Sequence, residues 1–275
     1  MPELPEVETI RRSLEEKISG LTIIGVDVYL EKVVKEPANI DSFKEQVIGK
    51  KIERLDRRGK YLLLCLSDGY VIVIHLRMTG RLLYVAQYED VTKHTHLIFQ
   101  VSNNYHLRFV DIRQFGTIYL LKEDELETIK GLAVLGPEPL SENFTVEFLK
   151  ERLNKKTKKI KQVLLDQDVV AGLGNIYADE VLFESRILPD RRVNTLTEDE
   201  IYRLYHSIVK IIKEAICHRG TSFRDYVDGE GEKGDHQNYL KVYQRTDQTC
   251  NRCQCHIKKE KIAGRSSHFC PGCQN

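Results

Sequence analysis

The chain has 275 residues, is 41% hydrophobic and 30% charged, and contains 17 Gly, 7 Pro and no Trp, which excludes a disordered or collagen-like polymer. The length suits two domains, each able to bury a core without help from disulfides. The formal net charge of +1 taken alone argues against a polyanionic partner, yet it sums unlike halves: residues 1–150 carry 20 basic and 23 acidic side chains, residues 151–275 carry 22 and 18.

The longest apolar runs, Tyr61 to Leu66 and Tyr70 to Ile74, are strand-sized and far short of a bilayer span, so no membrane association is expected. The N-terminus, Met-Pro-Glu-Leu-Pro-Glu-Val-Glu, is acidic and lacks a basic region followed by an apolar stretch. It does not read as a signal peptide, and the expected location is the cytoplasm. Val7, Ile10, Leu14 and Ile18 recur at helical spacing, with Pro5 placed to open the helix and Glu6 and Glu8 near its positive end. Runs rich in Val, Ile, Leu, Phe and Tyr follow near 21–30, 51–66, 70–77, 81–86, 94–102 and 105–121, and Asp68-Gly69 and Asn103-Asn104 suit hairpin turns. So many strands on short turns predict antiparallel sheets packed as a sandwich.

Residues 131–140 hold two Gly and two Pro, and beyond them the periodicity is helical to about Arg219. This predicts domains at 1–131 and 141–235, a linker at 132–140, and a separate segment at 236–275. Arg152, Lys155, Lys156, Lys158, Lys159 and Lys161 form a basic run with no acidic residue inside it. Such a run is usually a solvated face, and it needs specific sites before it argues for nucleic acid. From Ile160 to Arg186 two helical halves flank Ala171-Gly172-Leu173-Gly174, with Asn175 where the second helix opens. A helix start opened by glycines and an Asn presents unpaired N–H groups that suit a phosphate, although Gly-x-Gly by itself is more often a plain loop. Thr197 with Glu200 reads as a capping box for a helix through Ile201, Leu204, Tyr205, Ile208, Ile212 and Ala215, which Gly220 can end. The polar, Gly-rich stretch 229–238 predicts a mobile loop.

Five of the seven cysteines fall in the last 26 residues, and four of them read Cys250-x2-Cys253-x16-Cys270-x2-Cys273. Two such pairs match a four-thiolate zinc site, because each short turn sets two sulfurs on one side of a tetrahedron. A cytoplasmic location argues against disulfides. Four thiolates leave no open position, so one structural Zn2+ is expected, with Cys255 and His256 outside the ligand set. Cys65 and Cys217 fit core positions. Between the pairs, Lys258, Lys259, Lys261 and Arg265 alternate with Ile257, Ile262 and Phe269, which predicts a basic hairpin suited to phosphates.

The start MPELPEVETIRR, the segments HLRMTG and DIRQFG, the block LLDQDVVAGLGNIYADE and the four-cysteine hairpin occur in one order. Together they resemble the bacterial formamidopyrimidine-DNA glycosylases over nearly the whole chain. The resemblance implies an α+β fold: an N-terminal antiparallel β-sandwich with flanking helices, then a helical domain with a helix-two-turn-helix and a four-cysteine zinc finger. It implies a bifunctional DNA glycosylase and abasic-site lyase of base excision repair, acting as a monomer on double-stranded DNA with oxidised or abasic sites. The expected substrates are 8-oxoguanine and formamidopyrimidines.

The resemblance also implies that Met1 is removed and that Pro2 becomes the nucleophile. An α-amino group titrates near pH 8, so an appreciable fraction is unprotonated at neutral pH, and a secondary amine gives an iminium ion that persists as an electron sink. Glu3 is implied as the general acid-base and Glu6 as its support, although both also suit the helix dipole. Lys60 matches a catalytic-site lysine that contacts phosphate beside the lesion, and His94 matches a DNA-contacting histidine. Met78, Arg113 and Phe115 match the trio that fills the space of the extruded base, with Arg113 meeting the orphaned cytosine. Lys161, Asn175 and Arg265 match phosphate clamps, Arg265 also assisting elimination, and Thr221 and Ser222 match donors to the everted base.

Ile112 stands where many relatives have Pro, and Gln254-Cys255 replaces a frequent Gly-Thr, which bears on the hairpin turn rather than on the ligand set. His236 stands where an aromatic residue is common. Two alternatives compete with removal of oxidised purines: an endonuclease VIII-like enzyme for oxidised pyrimidines, and a non-catalytic zinc protein that binds damaged DNA. The MPELPEVE start favours the purine branch, and the presence of both Pro2 and Glu3 argues against the non-catalytic protein.

Overall fold

The computed structural model describes residues 1–275 and divides into two compact units, 1–133 with 218–235, and 134–217 with 236–275. The first unit begins with helix α1 (Leu4–Ile18), whose apolar stripe Val7, Ile10, Leu14 and Ile18 is buried as its spacing predicts. Then come β1 (Ile23–Val28), β2 (Val34–Glu36), α2 (Ile40–Val47), β3 (Ile52–Arg58), β4 (Tyr61–Leu66), β5 (Tyr70–His75), β6 (Gly80–Ala86), β7 (Thr95–Val101), β8 (Tyr105–Asp111), β9 (Thr117–Lys122) and the short α3 (Lys130–Ala133).

One sheet has the order β1-β7-β8-β6 and the other β2-β9-β5-β4-β3, antiparallel throughout except where β2 runs parallel to β9. A shared core of residues such as Ile10, Phe43, Leu62, Ile72, Phe99 and Phe109 lies between them, so the α+β sandwich is present. Two long apolar runs each prove to be two strands. The run 51–66 is interrupted at Gly59, whose φ of +56° makes the hairpin turn, and the run 105–121 is interrupted by a turn over 112–116. Asp68 and Gly69 both have positive φ, as a tight hairpin turn requires. The short elements β2 and α2 carry too little periodicity to be read from the chain.

Residues 218–235 pack with the first unit, whereas a linear reading assigns them to the helical domain. The reason is a set of tethers to α1 and the sheets. Gly229 N–H donates to Ser13 Oγ at 3.0 Å, Tyr84 N–H to the Gly229 carbonyl at 2.8 Å, and Tyr226 Oη to the Glu6 carbonyl at 3.2 Å.

The second unit contains α4 (Val146–Asn154), α5 (Ile160–Leu165), α6 (Asn175–Ser185), α7 (Glu198–Cys217), and the hairpin β10 (Lys258–Ile262) with β11 (Arg265–Phe269). The two turns of the helix-two-turn-helix span 166–174. The capping box at the start of α7 is formed, Thr197 N–H donating to Glu200 Oε2 at 2.8 Å and Glu200 N–H to Thr197 Oγ1 at 3.2 Å.

Candidate functional site

In the first unit, Pro2 and Glu3 are buried at the opening of α1, with Glu3 as its N-cap. Glu6 lies one turn on and is 1% exposed; its Oε2 accepts the Glu3 N–H at 2.7 Å and its Oε1 accepts the Thr221 N–H at 2.7 Å. Gly220 has φ +76°, and a Cβ there would stand 2.7 Å from Glu6 Oε1, so this position needs glycine twice over. Glu6 is therefore buried support for the helix start, tied to the 218–235 segment. The Ser222 hydroxyl donates to the Tyr226 carbonyl and accepts from Gly234 N–H, both at 3.0 Å. Thr221 is 4% exposed. The Ser222 hydroxyl and the Thr221 N–H are thus both engaged within the first unit.

Lys60 follows the Gly59 turn between β3 and β4 and is 8% exposed. Arg57 braces that turn, donating to the Gly59 carbonyl at 3.1 Å and to Glu8 Oε2 at 3.0 Å. Burial alone would raise the Glu8 carboxyl, but hydrogen bonds from Arg11, Arg12 and Arg57 outweigh it and hold the group at about 2. Glu8 is thus a structural ion-pair centre. Close to Lys60 lies His75, the last residue of β5, a position that motif reading passed over as an ordinary strand residue. Its ring packs edge-on to Tyr61 at 4.5 Å and its Nδ1 accepts the Arg77 N–H at 3.0 Å. Burial, with the positive charges of Arg77 and Lys60, lowers its pKa to about 3, so the ring is neutral and its Nε2 carries the proton. The sequence signal was available: a histidine inside HLRMTG, on the strand paired with the one that follows Lys60.

Met78 and Phe115 are 41% and 53% exposed, an unusual state for large apolar side chains, and the Arg113 guanidinium lies 4.9 Å over the Phe115 ring. The expected trio therefore projects into solvent on two neighbouring turns. His94 is half-buried just before β7, its carbonyl accepting the Asp111 N–H at 2.9 Å.

In the second unit, Asn175 opens α6 behind the glycine N-cap Gly174 and its Nδ2 donates to the Ser266 carbonyl at 3.0 Å. Lys161 departs from expectation. It is 1% exposed, and its Nζ lies 2.6 Å from Asp179 Oδ1 and donates to the Ser266 carbonyl at 2.7 Å. Asp179 Oδ2 accepts from both the backbone N–H and the Nδ1 of His268, at 2.9 and 3.0 Å. Lys161 thus joins α5, α6 and β11 from inside the unit, and its charge is neutralised there rather than offered to a phosphate. The rest of the basic run is also largely paired: Lys155 with Glu151, Lys156 with Asp166 and Asp168, and Lys158 with Asp166. Arg265, by contrast, is exposed beside the turn of Ala263 and Gly264. Glu180, also passed over in the sequence, accepts the N–H groups of Lys241, Val242 and Tyr243 at 2.8 to 2.9 Å and fixes that loop.

The sulfurs of Cys250, Cys253, Cys270 and Cys273 all lie within 4.8 Å of one another, with Cys250 to Cys273 at 3.7 Å and Cys253 to Cys270 at 3.3 Å. A tetrahedral zinc with Zn–S bonds of about 2.3 Å has sulfur-to-sulfur edges of about 3.8 Å, so the four groups fit that ion. Cys255 is exposed, and His256 is turned to the Asp247 carbonyl at 2.9 Å, so neither completes the set. Gln254 takes the left-handed φ of +63°, so the turn keeps a glycine-like conformation with a larger residue.

A buried N-terminal Pro-Glu, a helix-two-turn-helix and a four-cysteine hairpin define the class of zinc-finger DNA glycosylases. Residues 1–118 match the formamidopyrimidine-DNA glycosylase N-terminal domain, 135–227 its H2TH domain, and 245–275 the zinc finger found in FPG and IleRS. The chain belongs to the formamidopyrimidine-DNA glycosylase family. It is 52% identical to the formamidopyrimidine-DNA glycosylase of Pelotomaculum thermopropionicum, covering 100% of this chain and 99% of that one. Identity to the Carboxydothermus hydrogenoformans enzyme of the same name is 47%, over 100% of both. Among solved structures, a Lactococcus lactis FPG mutant in complex with Fapy-dG-containing DNA superposes with a TM-score of 0.94 at 41% identity over 100% of both chains. The Lactococcus lactis Fpg complex with abasic-site DNA gives 0.93 at 41% identity over 99% of both.

Proposed function

We propose that the chain removes oxidised purines, chiefly 8-oxoguanine and formamidopyrimidines, from double-stranded DNA and then cleaves the abasic strand by β,δ-elimination. The observation that carries this reading is Pro2-Glu3 buried at the start of α1, with Glu6 accepting the Glu3 N–H. With Met1 removed, the Pro2 amine lone pair forms a bond to C1′ of the sugar, and the base leaves with the electron pair of its glycosidic bond and takes up a proton. Once the Pro2 nitrogen has lost its N–H proton, its lone pair breaks the C1′–O4′ bond to give an iminium, and Glu3 supplies the proton that O4′ takes up. The resulting iminium acidifies C2′–H; loss of that proton expels the 3′ phosphate, and a second elimination expels the 5′ phosphate.

Lys60, His94, Asn175 and Arg265 are the side chains we assign to DNA contact near the lesion, Arg265 also to assisting elimination, with Met78, Arg113 and Phe115 filling the vacated space. Thr221 is assigned as a donor to the everted base, while Lys161 and Ser222 act through the packing they maintain. One Zn2+ held by the four cysteines keeps the basic hairpin rigid and takes no part in the chemistry. No helix is long and apolar enough to cross a membrane. The reading is of a cytoplasmic enzyme that works as a monomer on DNA.

Support comes from relatives that carry the glycosylase name over the full length, and from neighbours solved with DNA containing Fapy-dG or an abasic site. Another Lactococcus lactis complex holds DNA containing an oxidised pyrimidine, so substrate range is part of the test. Borohydride trapping on duplexes with 8-oxoguanine, thymine glycol or an abasic site is expected to give a covalent adduct, fastest among damaged bases with 8-oxoguanine. An undiminished adduct in Pro2→Gly would overturn the nucleophile, and faster trapping on thymine glycol would overturn the substrate class. Binding of abasic duplex without strand cleavage would favour a non-catalytic protein.

A further inference from the structure

The carboxylate of Asp111 is 0% exposed and receives its hydrogen bonds from one hydroxyl and three backbone N–H groups, with no cationic side chain among them. Oδ2 accepts from Phe115 and Gly116, each at 2.8 Å. Oδ1 accepts from Arg113 N–H at 3.2 Å and from the Thr79 hydroxyl at 2.5 Å. Thr79 Oγ1 in turn accepts the same Arg113 N–H at 3.1 Å. Gly80 stands opposite Asp111 in the β6–β8 register, so the sheet sets the two turns side by side. One turn, closed by Gly80 N–H to the Leu76 carbonyl at 3.0 Å, carries Met78; the other carries Arg113 and Phe115.

A buried carboxylate without a counter-ion is costly unless donors are fixed around it, and fixed donors in turn make the surrounding backbone rigid. Here the donors are the backbone of the very turn that exposes Arg113 and Phe115. We propose that Thr79 and Asp111 are positioning residues that clasp the two turns into one preformed wedge, setting Arg113 against the unpaired base, and that the Thr79 hydroxyl is the link between the turns. This rests on the reading of Met78, Arg113 and Phe115 as the groups that fill the vacated space. Without the link the β6–β8 pairing still keeps the turns adjacent and each turn keeps its own hydrogen bonds, but Met78 and Arg113 lose the side-chain restraint that sets one against the other. Recognition of the opposite base suffers more than the chemistry at Pro2.

The test compares single-turnover excision of 8-oxoguanine opposite cytosine with excision opposite adenine. The ratio of the two rates is insensitive to loss of folded enzyme, because the same population reads both duplexes. Thr79→Val is expected to lower the cytosine-to-adenine ratio about tenfold, from loss of the hydroxyl that donates to Asp111 and shares the Arg113 N–H, and Thr79→Ser, which restores the hydroxyl, to bring it back to within about twofold. An unchanged ratio in Thr79→Val, with a lowered one in Arg113→Ala, overturns the clasp alone. A ratio near one in the wild type, or one that Arg113→Ala leaves unchanged, overturns the wedge reading and the clasp with it.

Discussion

The Glu6 carboxylate accepts the backbone N–H of Thr221 at 2.7 Å across 215 residues of sequence. Through the same carboxylate Thr221 is linked by two hydrogen bonds to the backbone of Glu3, beside the proposed nucleophile. Helix dipole complementarity gives Glu6 a reason to stand in the first turn, but each of its two oxygens also accepts a backbone N–H, one from each end of the first unit's chain. The opening of α1 and the 218–235 segment are therefore one structural element.

Glu6→Gln should separate them. A carboxamide offers one acceptor oxygen, so its NH2 must face one of the two N–H groups, which costs about 1–3 kcal/mol. The urea midpoint is expected to fall accordingly, with slower borohydride trapping on abasic duplex. An unchanged midpoint would mean that the two hydrogen bonds contribute nothing to holding the helix opening.

His75 makes a prediction about acid stability. Its folded-state pKa of about 3 lies below the usual 6.5, so as pH falls through that window the unfolded chain binds a proton that the folded chain refuses. Stability contributed by the neutral ring is complete above pH 6.5 and is lost as pH drops toward 3, with a slope of at most about 1.4 kcal/mol per pH unit. Replacing His75 with Gln should flatten that part of the profile. Equilibrium unfolding at pH 7 and pH 4 checks it, and an equal loss in both proteins would contradict a neutral buried ring.

Much of this fold was legible because its signals are local. The stripe of α1, the Asp68-Gly69 turn and the paired cysteines each state their geometry within a few residues. The residues that escaped act over long separations. Asp179 and Glu180 read as ordinary polar positions on a helix, yet each is buried and serves a segment far along the chain, at His268 and at 241–243. The burial of Lys161 is hidden for the same reason: a lysine in a basic run looks solvated until its partner at 179 is known. Asp111 opens DIRQFG, but a carboxylate held by three backbone N–H groups and one hydroxyl 32 residues away leaves no local side-chain pattern to read.

The burial of Lys161 separates two roles that one measurement can tell apart. A lysine on a phosphate releases counter-ions when DNA binds, so its loss lowers the salt slope of binding by about 1. Lys161→Met is expected to leave that slope unchanged and to destabilise the second unit by about 3–5 kcal/mol, because Asp179 is left buried without its main partner. Arg265→Ala, at an exposed position, is expected to lower the slope and leave the unfolding midpoint near that of the wild type. A reduced slope in Lys161→Met would restore it as a phosphate clamp.

The four-cysteine hairpin should depend on metal for its existence. The apolar cluster beneath it comprises only Phe183, Val242, Ile257 and two of the four cysteines, Cys250 and Cys270, too small to hold two short strands and their turns. Binding of structural zinc is worth on the order of 10–16 kcal/mol in isolated finger peptides, so the ion substitutes for the missing core. Atomic emission is expected to find one zinc per chain, lost in Cys250→Ser or on chelation. Amide exchange should then accelerate across β10 and β11 while the strands of the sandwich keep their protection, because none of their hydrogen bonds involves the hairpin. Affinity for abasic duplex should fall, since Arg265 and the Ser266 carbonyl that anchors Asn175 are both carried on β11. Unchanged affinity after verified zinc loss would remove the hairpin from the DNA-binding machinery, and unchanged exchange would show that the hairpin folds without the ion.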